Sequence, residues 1–460
     1  MLKKDFLAEV GAVLAQKDNI LGTMPMGRLV VTMSWPIMVS MLIQAIYNLV
    51  DSIYIARVSD SAFLALSYAY PIQTLMIAFC VGIGVGFNAT LSRRLGEKKQ
   101  EEASQVVLHG FLLYVLCWLL FLAFGLFACG PYLRACTDNG GVAAQGIDYL
   151  RICCAFALGI CIQFPCERIL QSTGHPGGFM IVQGSGALIN LILDPILIFG
   201  FNMGVKGAAA ATVIGQIIGG LIGFYLLWRI RRELPISLRA FRFHPALTGE
   251  MCRIAAPAVL MQSLTSLMSL GMNAILTLWS ETAVWVLGVY FKLQSFVFMP
   301  VFSVNNAMIS ILSYNYGARD RQRVTQAIRF GMLAAVTTAL LGMGVVMLAA
   351  SPLLLWCFRA SADAWALGVP ALRMTALSFP VAAVSIIWSA AFQSLGHSRY
   401  SLAVSLLRNL LFLLPATFIL VQLWPEGTFL AFFGAETAAC LVTGILYRRV
   451  HRETILSIQP

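Results

Sequence analysis

The sequence predicts an all-α membrane protein whose twelve transmembrane helices form two six-helix bundles, arranged as parallel repeats. Three observations predict this fold: the composition, the number of apolar stretches and an internal duplication. Of the 460 residues, 59% are hydrophobic and 11% charged, with a mean hydropathy of +0.82, whereas a soluble domain has about 25% charged residues. A water-soluble enzyme is therefore excluded. Continuous rather than alternating apolar runs also exclude an outer-membrane barrel.

The apolar stretches are long enough to cross a membrane. A spanning helix needs about 20 mostly apolar residues, and the chain contains about twelve such stretches separated by short polar breaks. We predict spans at 29–54, 62–90, 106–130, 147–170, 178–201, 206–229, 252–278, 284–312, 328–355, 368–393, 402–422 and 428–447.

The net charge of +11 is a topology signal. Basic residues gather before the first span and after the second, sixth, eighth and twelfth, as at Arg93, Arg94, Lys98 and Lys99. By the positive-inside rule both termini are cytoplasmic. We therefore expect no nucleic-acid partner. The predicted cytoplasmic parts are an N-terminal segment (1–28), a linker (231–250) and a tail (449–460).

The two halves of the chain repeat one another. One constant shift aligns Pro36 with Pro257 and Ser59 with Ser280. A shift longer by one residue aligns the segment 171–175 with 393–397. Six spans per copy is an even number, so both copies enter the membrane from the same side, as in transporters built from parallel repeats. The predicted bundles are 29–230 and 251–448.

Several motifs carry a family resemblance. They are Trp35-Pro36, Tyr47-Asn48-Leu49-Val50-Asp51, Asn190-Leu-Ile-Leu-Asp194-Pro195 and Asn315-Tyr316-Gly317-Ala318. Over essentially its whole length the sequence resembles the multidrug and toxic compound extrusion (MATE) family, in particular its bacterial DinF-like branch.

The resemblance implies a secondary antiporter, not an enzyme, that exports amphipathic, cationic organic compounds in exchange for protons or sodium ions. Transport would proceed by alternating access between two lobes. It implies a monomer in the bacterial cytoplasmic membrane, surrounded by lipid, with small organic substrates and no cofactor beyond the transported H⁺ or Na⁺. The alternative is a lipid-linked precursor flippase of the same superfamily. A membrane-embedded enzyme would need a polar catalytic constellation, which the sequence lacks, and a channel would conduct without saturation.

Acidic residues inside spans are costly and therefore mark candidate functional sites. Gln44, Tyr47 and Asp51 share one helical face, and Asn190 and Asp194 share another. If these faces meet, two carboxylates with an amide and a phenol can hold a proton, a sodium ion or an organic cation. The alternative for Asp51 is a solvated position at the outer interface. The resemblance implies that all five, with Thr212, form a cation-coupling pocket, with sodium at Asp51, Asn190 and Asp194.

The second half lacks comparable acids and instead has amides, thioethers and aromatic rings, which suit bulky organic ligands. The predicted substrate cavity consists of Gln262, Met268, Met272, Asn273, Gln294, Phe298, Met299 and Asn306. Ordinary membrane packing is the alternative for each of them.

The remaining charged residues and the prolines suggest structural roles. Arg408 and Glu436 are predicted to form a buried ion pair that joins neighbouring helices. Glu167 is expected at the membrane interface rather than buried. Pro36 and Pro257 each remove a helix hydrogen bond and should bend their helices; whether the bend at Pro36 changes during transport stays open. The eleven cysteines show no metal-ligand spacing and are expected to be small packing residues.

Overall fold

In the computed structural model, which describes residues 19–231, 233, 241–352, 354, 358 and 360–458, every regular element of those ranges is a helix. After a short turn at Ile20–Thr23, the long helices are α1 (Met26–Val58), α2 (Asp60–Gly96), α3 (Gln100–Cys136), α4 (the pair Gly140–Ala155 and Leu158–Ser172), α5 (Pro176–Gly200), α6 (Val205–Arg229), α7 (Pro245–Thr277), α8 (Glu281–Gly317), α9 (Arg321–Pro352), α10 (Ala362–Ser394), α11 (Ser398–Leu423) and α12 (Leu430–Ile455).

These helices match the predicted spans one for one. Among the described residues, 11 helices are long and apolar enough to cross a membrane, or 12 if the pair in α4, bent by 45°, is one span. The predicted fold class is therefore confirmed. Most of the predicted N-terminal segment and parts of the predicted linker and tail lie outside the described residues.

The chain forms two compact units. The first contains residues 19–23 and Pro36–Ala256, and the second contains Met24–Trp35 and Pro257 onwards. In both α1 and α7, the boundary between the units falls at an interior proline, Pro36 or Pro257. The duplication aligns these two prolines. In the second unit, the start of α1 is bound by Arg323, whose Nη2 donates to the Met24 carbonyl at 3.0 Å.

The duplication is visible in the local geometry of the turns. Ser59 caps α2 by accepting from the Ala62 amide, and Ser280 caps α8 by accepting from the Thr282 amide, both at 3.1 Å. The loops that follow these helices each contain one residue with a left-handed backbone, Lys98 at φ 58° and Arg319 at φ 57°. The aligned pairs therefore perform the same structural task in each copy.

A second pair of matching turns follows α4 and α10. Gly174 and Gly396 have φ values of 82° and 84°, which glycine adopts without strain. The next amide, of His175 or His397, donates to the carbonyl five residues earlier at 2.7 Å in both copies. These turns explain why the segments 171–175 and 393–397 share their sequence.

Close packing of α5 on α6 positions the first unit's polar residues. A Cβ atom at Gly215 would lie 2.5 Å from the Gly186 carbonyl oxygen, and one at Gly219 would lie 3.0 Å from that of Val182. The two backbones are thus in direct contact, as at small-residue interfaces of membrane helices. The same approach brings the backbone of Gly215 against Asn190.

Candidate functional site

In the first unit, Asn190, Asp194 and Thr212 form a buried hydrogen-bonded group. Asn190 is 3% exposed and Asp194 is 0% exposed. In the amide orientation that satisfies both ends, the Asn190 nitrogen donates to Asp194 Oδ2 at 3.3 Å and its oxygen accepts from the Thr212 amide at 3.0 Å. Asn190 therefore fixes the Asp194 carboxylate against α6.

The α1 face lies against this group. Gln183 of α5 donates to Gln44 Oε1 at 2.9 Å. Asp51 is half-buried, and its buried Oδ1 has no hydrogen-bond partner among the described residues. Asp51 lies close enough to Asp194 for their charges to interact, and both carboxylates interact with Tyr47. The structure thus brings together the α1 and α5 residues that the sequence analysis predicted for the cation-coupling pocket.

A cavity of about 50 Å³ lies within this unit. The residues around it are Gln44, Tyr47, Ile77, Ile160, Gln163, Phe164, Gln183, Gly186, Ala187, Asn190, Thr212 and Gln216. Asp51 and Asp194 are one helical turn beyond Tyr47 and Asn190. Three of the glutamines, Gln163, Gln183 and Gln216, were missed by the sequence reasoning, although an amide inside an apolar span was the available signal.

Glu167 is buried in the first unit, where it is 1% exposed. The prediction that it lies at the membrane interface is therefore wrong. Gln163, which lines the cavity, donates to Glu167 Oε1 at 2.9 Å. The second half of α4 packs against α2, α3, α5 and α6 and is buried along most of its length, which places Glu167 in the core of the unit. A third carboxyl group is therefore one side chain away from the cavity.

The second unit contains a larger cavity, of about 230 Å³. Its lining consists of Thr265, Met268, Phe291, Gln294, Ser295, Phe298, Phe302, Ala382, Ile386, Arg408, Asn409, Leu413, Phe432, Ala435 and Glu436. Three of the eight predicted residues, Met268, Gln294 and Phe298, are in this lining. The other five are not, and they are Gln262, Met272, Asn273, Met299 and Asn306.

The positions of two of these five explain why they are outside the lining. Met272 is 1% exposed, and its sulfur accepts from Thr417 Oγ1 at 3.3 Å. The Asn306 amide donates to the Phe302 carbonyl of its own helix at 3.0 Å. Both side chains are therefore engaged in packing or in local hydrogen bonding.

Arg408 and Glu436 are in the wall of this cavity, which the sequence did not predict. Arg408 Nη1 lies 3.6 Å from Glu436 Oε1, while the buried Glu436 Oε2 has no hydrogen-bond partner within the part of the chain that the structure describes. Arg408 and Asn409 belong to a π-helical segment of α11, Leu407–Leu413. Such widened turns are frequent at functional sites because they reorient side chains.

Comparison with known proteins gives relatives and structures that cover nearly the whole chain. The multidrug export protein MepA of Staphylococcus haemolyticus is 25% identical over 427 residues, or 92% of this chain and 93% of that protein. An FAD transporter of Shewanella oneidensis is 26% identical over 309 residues, 66% and 68% of the two chains.

Among solved structures, a MOP superfamily transporter from Pyrococcus furiosus superposes with a TM-score of 0.89 at 24% identity, covering 97% of this chain and 99% of that one. An outward-facing multidrug resistance MATE family transporter gives the same values. These structures have the same fold. The model of the MatE family matches residues 36–196 and 257–419, one segment in each half. The chain is therefore a multi-pass membrane protein that belongs to the MatE family of transporters.

Proposed function

We propose that the protein is a secondary antiporter that exports amphipathic, cationic organic compounds in exchange for protons or sodium ions, by alternating access between its two lobes. The observation that carries this proposal is the pair of acidic side chains, Asp51 and Asp194, beside a small polar cavity in the first unit. Two carboxylates this close do not both stay charged in an apolar core without a bound proton or cation.

The size of the first cavity favours an ion as its occupant. Sites for drug-sized ligands measure roughly 300–1,000 Å³, whereas this one has about 50 Å³, enough for a small ion with a little water. Its lining supplies amide, hydroxyl and phenol oxygens, and the two carboxylates lie one turn away. Asp51, Asn190 and Asp194 are the residues we assign to a transported sodium ion, or the two acids to a proton.

The second cavity favours an organic substrate. At about 230 Å³ it approaches the size of a small-molecule site, and phenyl rings and the Met268 thioether provide adaptable contacts. Glu436 offers a buried carboxylate oxygen that accepts no hydrogen bond from any residue that the structure describes. A cationic ring system would therefore find both aromatic faces and a negative group in this wall.

The alternative to a cationic substrate is an anionic one. One relative is an FAD transporter, and an anionic flavin nucleotide would use Arg408 instead of Glu436. The pair supplies one charge of each sign, so the aromatic lining favours the cation. A lipid-linked precursor would need a more basic cavity than one with a single arginine.

We also propose that both termini face the cytoplasm, from the distribution of basic residues. A cysteine introduced at Asn139, in the loop between α3 and α4, should react with a membrane-impermeant maleimide in intact cells. One introduced at Lys98 should react only after the membrane is permeabilised. The opposite pattern would reverse this orientation, with the unaltered chain giving the background labelling.

The antiporter proposal is tested in proteoliposomes containing the full chain. Efflux of a fluorescent dye cation is followed under an imposed pH gradient, and separately under an imposed sodium gradient, with FAD as the competing substrate. Dye movement that needs one of the two gradients supports the proposal and identifies the ion. Efflux of the dye that is unaffected by both gradients, or movement of FAD alone, contradicts it.

A further inference from the structure

Three cysteines that are far apart in the sequence meet in the core of the first unit. Cys80 of α2, Cys117 of α3 and Cys161 of α4 have sulfur atoms that all lie within 4.8 Å of one another. Their exposed fractions are 0%, 4% and 2%. No sequence spacing connects these three residues, because the packing of three helices brings them together.

The surroundings of the three thiols are apolar. Met76, Phe121 and Phe164 belong to the same buried cluster. The hydroxyl of Tyr114 donates to the Cys80 carbonyl oxygen at 2.9 Å. Each thiol interacts with the other two, and among the described residues the Tyr114 phenol also interacts with Cys80 and Cys161. The charged side chains beside Tyr114, Arg168 and Glu167, have opposite signs, so an ion bound here would have three sulfur ligands and a wall without net charge.

Packing does not require sulfur at these positions. The duplication aligns Cys80 with Val301 and Cys161 with Ala383, and both of these are 0% exposed in the second unit. A valine and an alanine thus fill the equivalent space in the other copy. The thiol cluster is a feature of the first unit alone.

The spacing of the sulfur atoms suits a single bound atom. Three sulfurs around one centre at a bond length of about 2.3 Å stand about 4 Å apart, within the observed limit of 4.8 Å. The net charge of the product decides which element fits. Three thiolates around zinc leave one negative charge and around monovalent copper two, and an uncompensated charge in an apolar core is costly.

We propose that Cys80, Cys117 and Cys161 form a binding site for neutral trivalent hydroxides of the arsenic group, with arsenous acid as the simplest ligand. Three As–O bonds break, three As–S bonds form, and each thiol proton leaves with one hydroxide as water. The oxidation state of arsenic does not change. The product is uncharged, so its formation places no charge in the core, and it ties α2, α3 and α4 together.

The test uses the full chain, purified in detergent under a phosphine reductant, with arsenous acid as the probe. Native mass spectrometry should show one arsenic per chain, with the mass of three hydrogens lost, and thermal unfolding should shift upward. Cys80→Ala, Cys117→Ala and Cys161→Ala should each weaken binding by about 100-fold or more, since losing a ligand costs more than losing an outer-shell partner. Cys166→Ala is the matched control: this cysteine is buried on the same half of α4 and should leave binding unchanged.

A second measurement needs no variant. Rapid denaturation into an alkylating reagent, followed by peptide mapping, should show Cys80, Cys117 and Cys161 protected by arsenic while the other cysteines are modified. Zinc at the same concentration should neither bind nor compete. Protection of the neighbouring Cys153 and Cys154 instead, unchanged affinity in the three variants, or zinc binding as tight as that of arsenic would each overturn the proposal.

Discussion

Replacing Asp194 by asparagine removes the charge and the titratable proton of this residue while keeping its shape. The side chain is 0% exposed, and its Oδ2 accepts a hydrogen bond from the Asn190 amide nitrogen at 3.3 Å. An asparagine carbonyl oxygen accepts the same bond. A hydrogen bond to a charged group contributes about 1.5–3 kcal/mol and a neutral one about 0.5–1.5, so about 1 kcal/mol of bonding is lost. Removal of a buried charge offsets part of this, and we expect a Tm within about 3 °C of that of the unaltered chain.

Ion coupling should respond far more strongly than stability. A tenfold ion gradient corresponds to about 1.4 kcal/mol for each monovalent ion exchanged, and so to about tenfold accumulation of a coupled substrate. In proteoliposomes, Asp194→Asn should bring the accumulation ratio of a dye cation from near that limit to about one.

The matched control is Asp148→Asn, because Asp148 is a partly exposed carboxylate whose Oδ2 pairs with Lys206 Nζ at 3.1 Å. It should keep the normal accumulation ratio. The assay compares the ratio with the Tm of the same preparations. A folded Asp194→Asn protein that still concentrates the dye would refute the assignment of coupling to this carboxylate.

Three further predictions concern stability. Gly215→Ala places a Cβ 2.5 Å from a carbonyl oxygen of α5 and should lower the free energy of unfolding by about 1–3 kcal/mol. Gly288→Ala should change it little, because among the described residues nothing beyond the adjoining backbone of its own helix lies within 4 Å of a Cβ there. Equal thermal shifts of the two variants would contradict the backbone contact. Burial lowers the pKa of His175, in the loop before α5, from 6.5 to about 4. Between these values the unfolded chain binds the extra proton, so the His175 contribution to stability should rise with pH by about 2–3 kcal/mol. Glu233, 3.7 Å from His175 Nε2, contributes in the opposite sense, because burial raises its pKa to about 7. The difference in unfolding free energy between the unaltered chain and His175→Asn should therefore grow from pH 4 to pH 6.5, and a constant difference would contradict the burial of this imidazole. Glu436→Gln leaves the half-buried Arg408 without its counter-charge and should lower Tm or yield more than coupling. A stable but uncoupled variant would place the ion path in the second unit.

The helices could be predicted from sequence because each apolar stretch has a polar or glycine-containing break at both ends. The break inside α4 could not. It falls at Phe156 and Ala157, where no proline or glycine marks it, while Pro165 lies inside the second half without interrupting it. Glu167 lies in the half after that break, which is buried against four other helices, and sequence alone could not show those contacts.

Contacts between helices were harder to predict than the helices themselves. Helical spacing alone placed Gln44, Tyr47 and Asp51 on one face. It could not show that glutamines of other helices complete the cavity, or that three cysteines meet. A helix that is apolar on all sides does not reveal how far it is rotated about its own axis. Only the packed structure fixes that rotation and thus the partners of each side chain.

The duplication places a cavity beside equivalent helix positions in the two units, although different residues line it in each. The shift that aligns Pro36 with Pro257 also aligns Gln44 with Thr265 and Tyr47 with Met268. Both members of each pair line a cavity in their own unit.

The shift also aligns Asp51 with Met272, and neither of these is in the lining of its cavity. The helix that follows each unit's boundary proline therefore presents the same face to a cavity in both copies. What differs is the chemistry of that face, which has a carboxylate, a phenol and an amide in the first unit but two thioethers and a hydroxyl in the second. Because a thioether can neither release a proton nor balance a cation, we expect ion coupling to depend on the first copy of this face and not on the second.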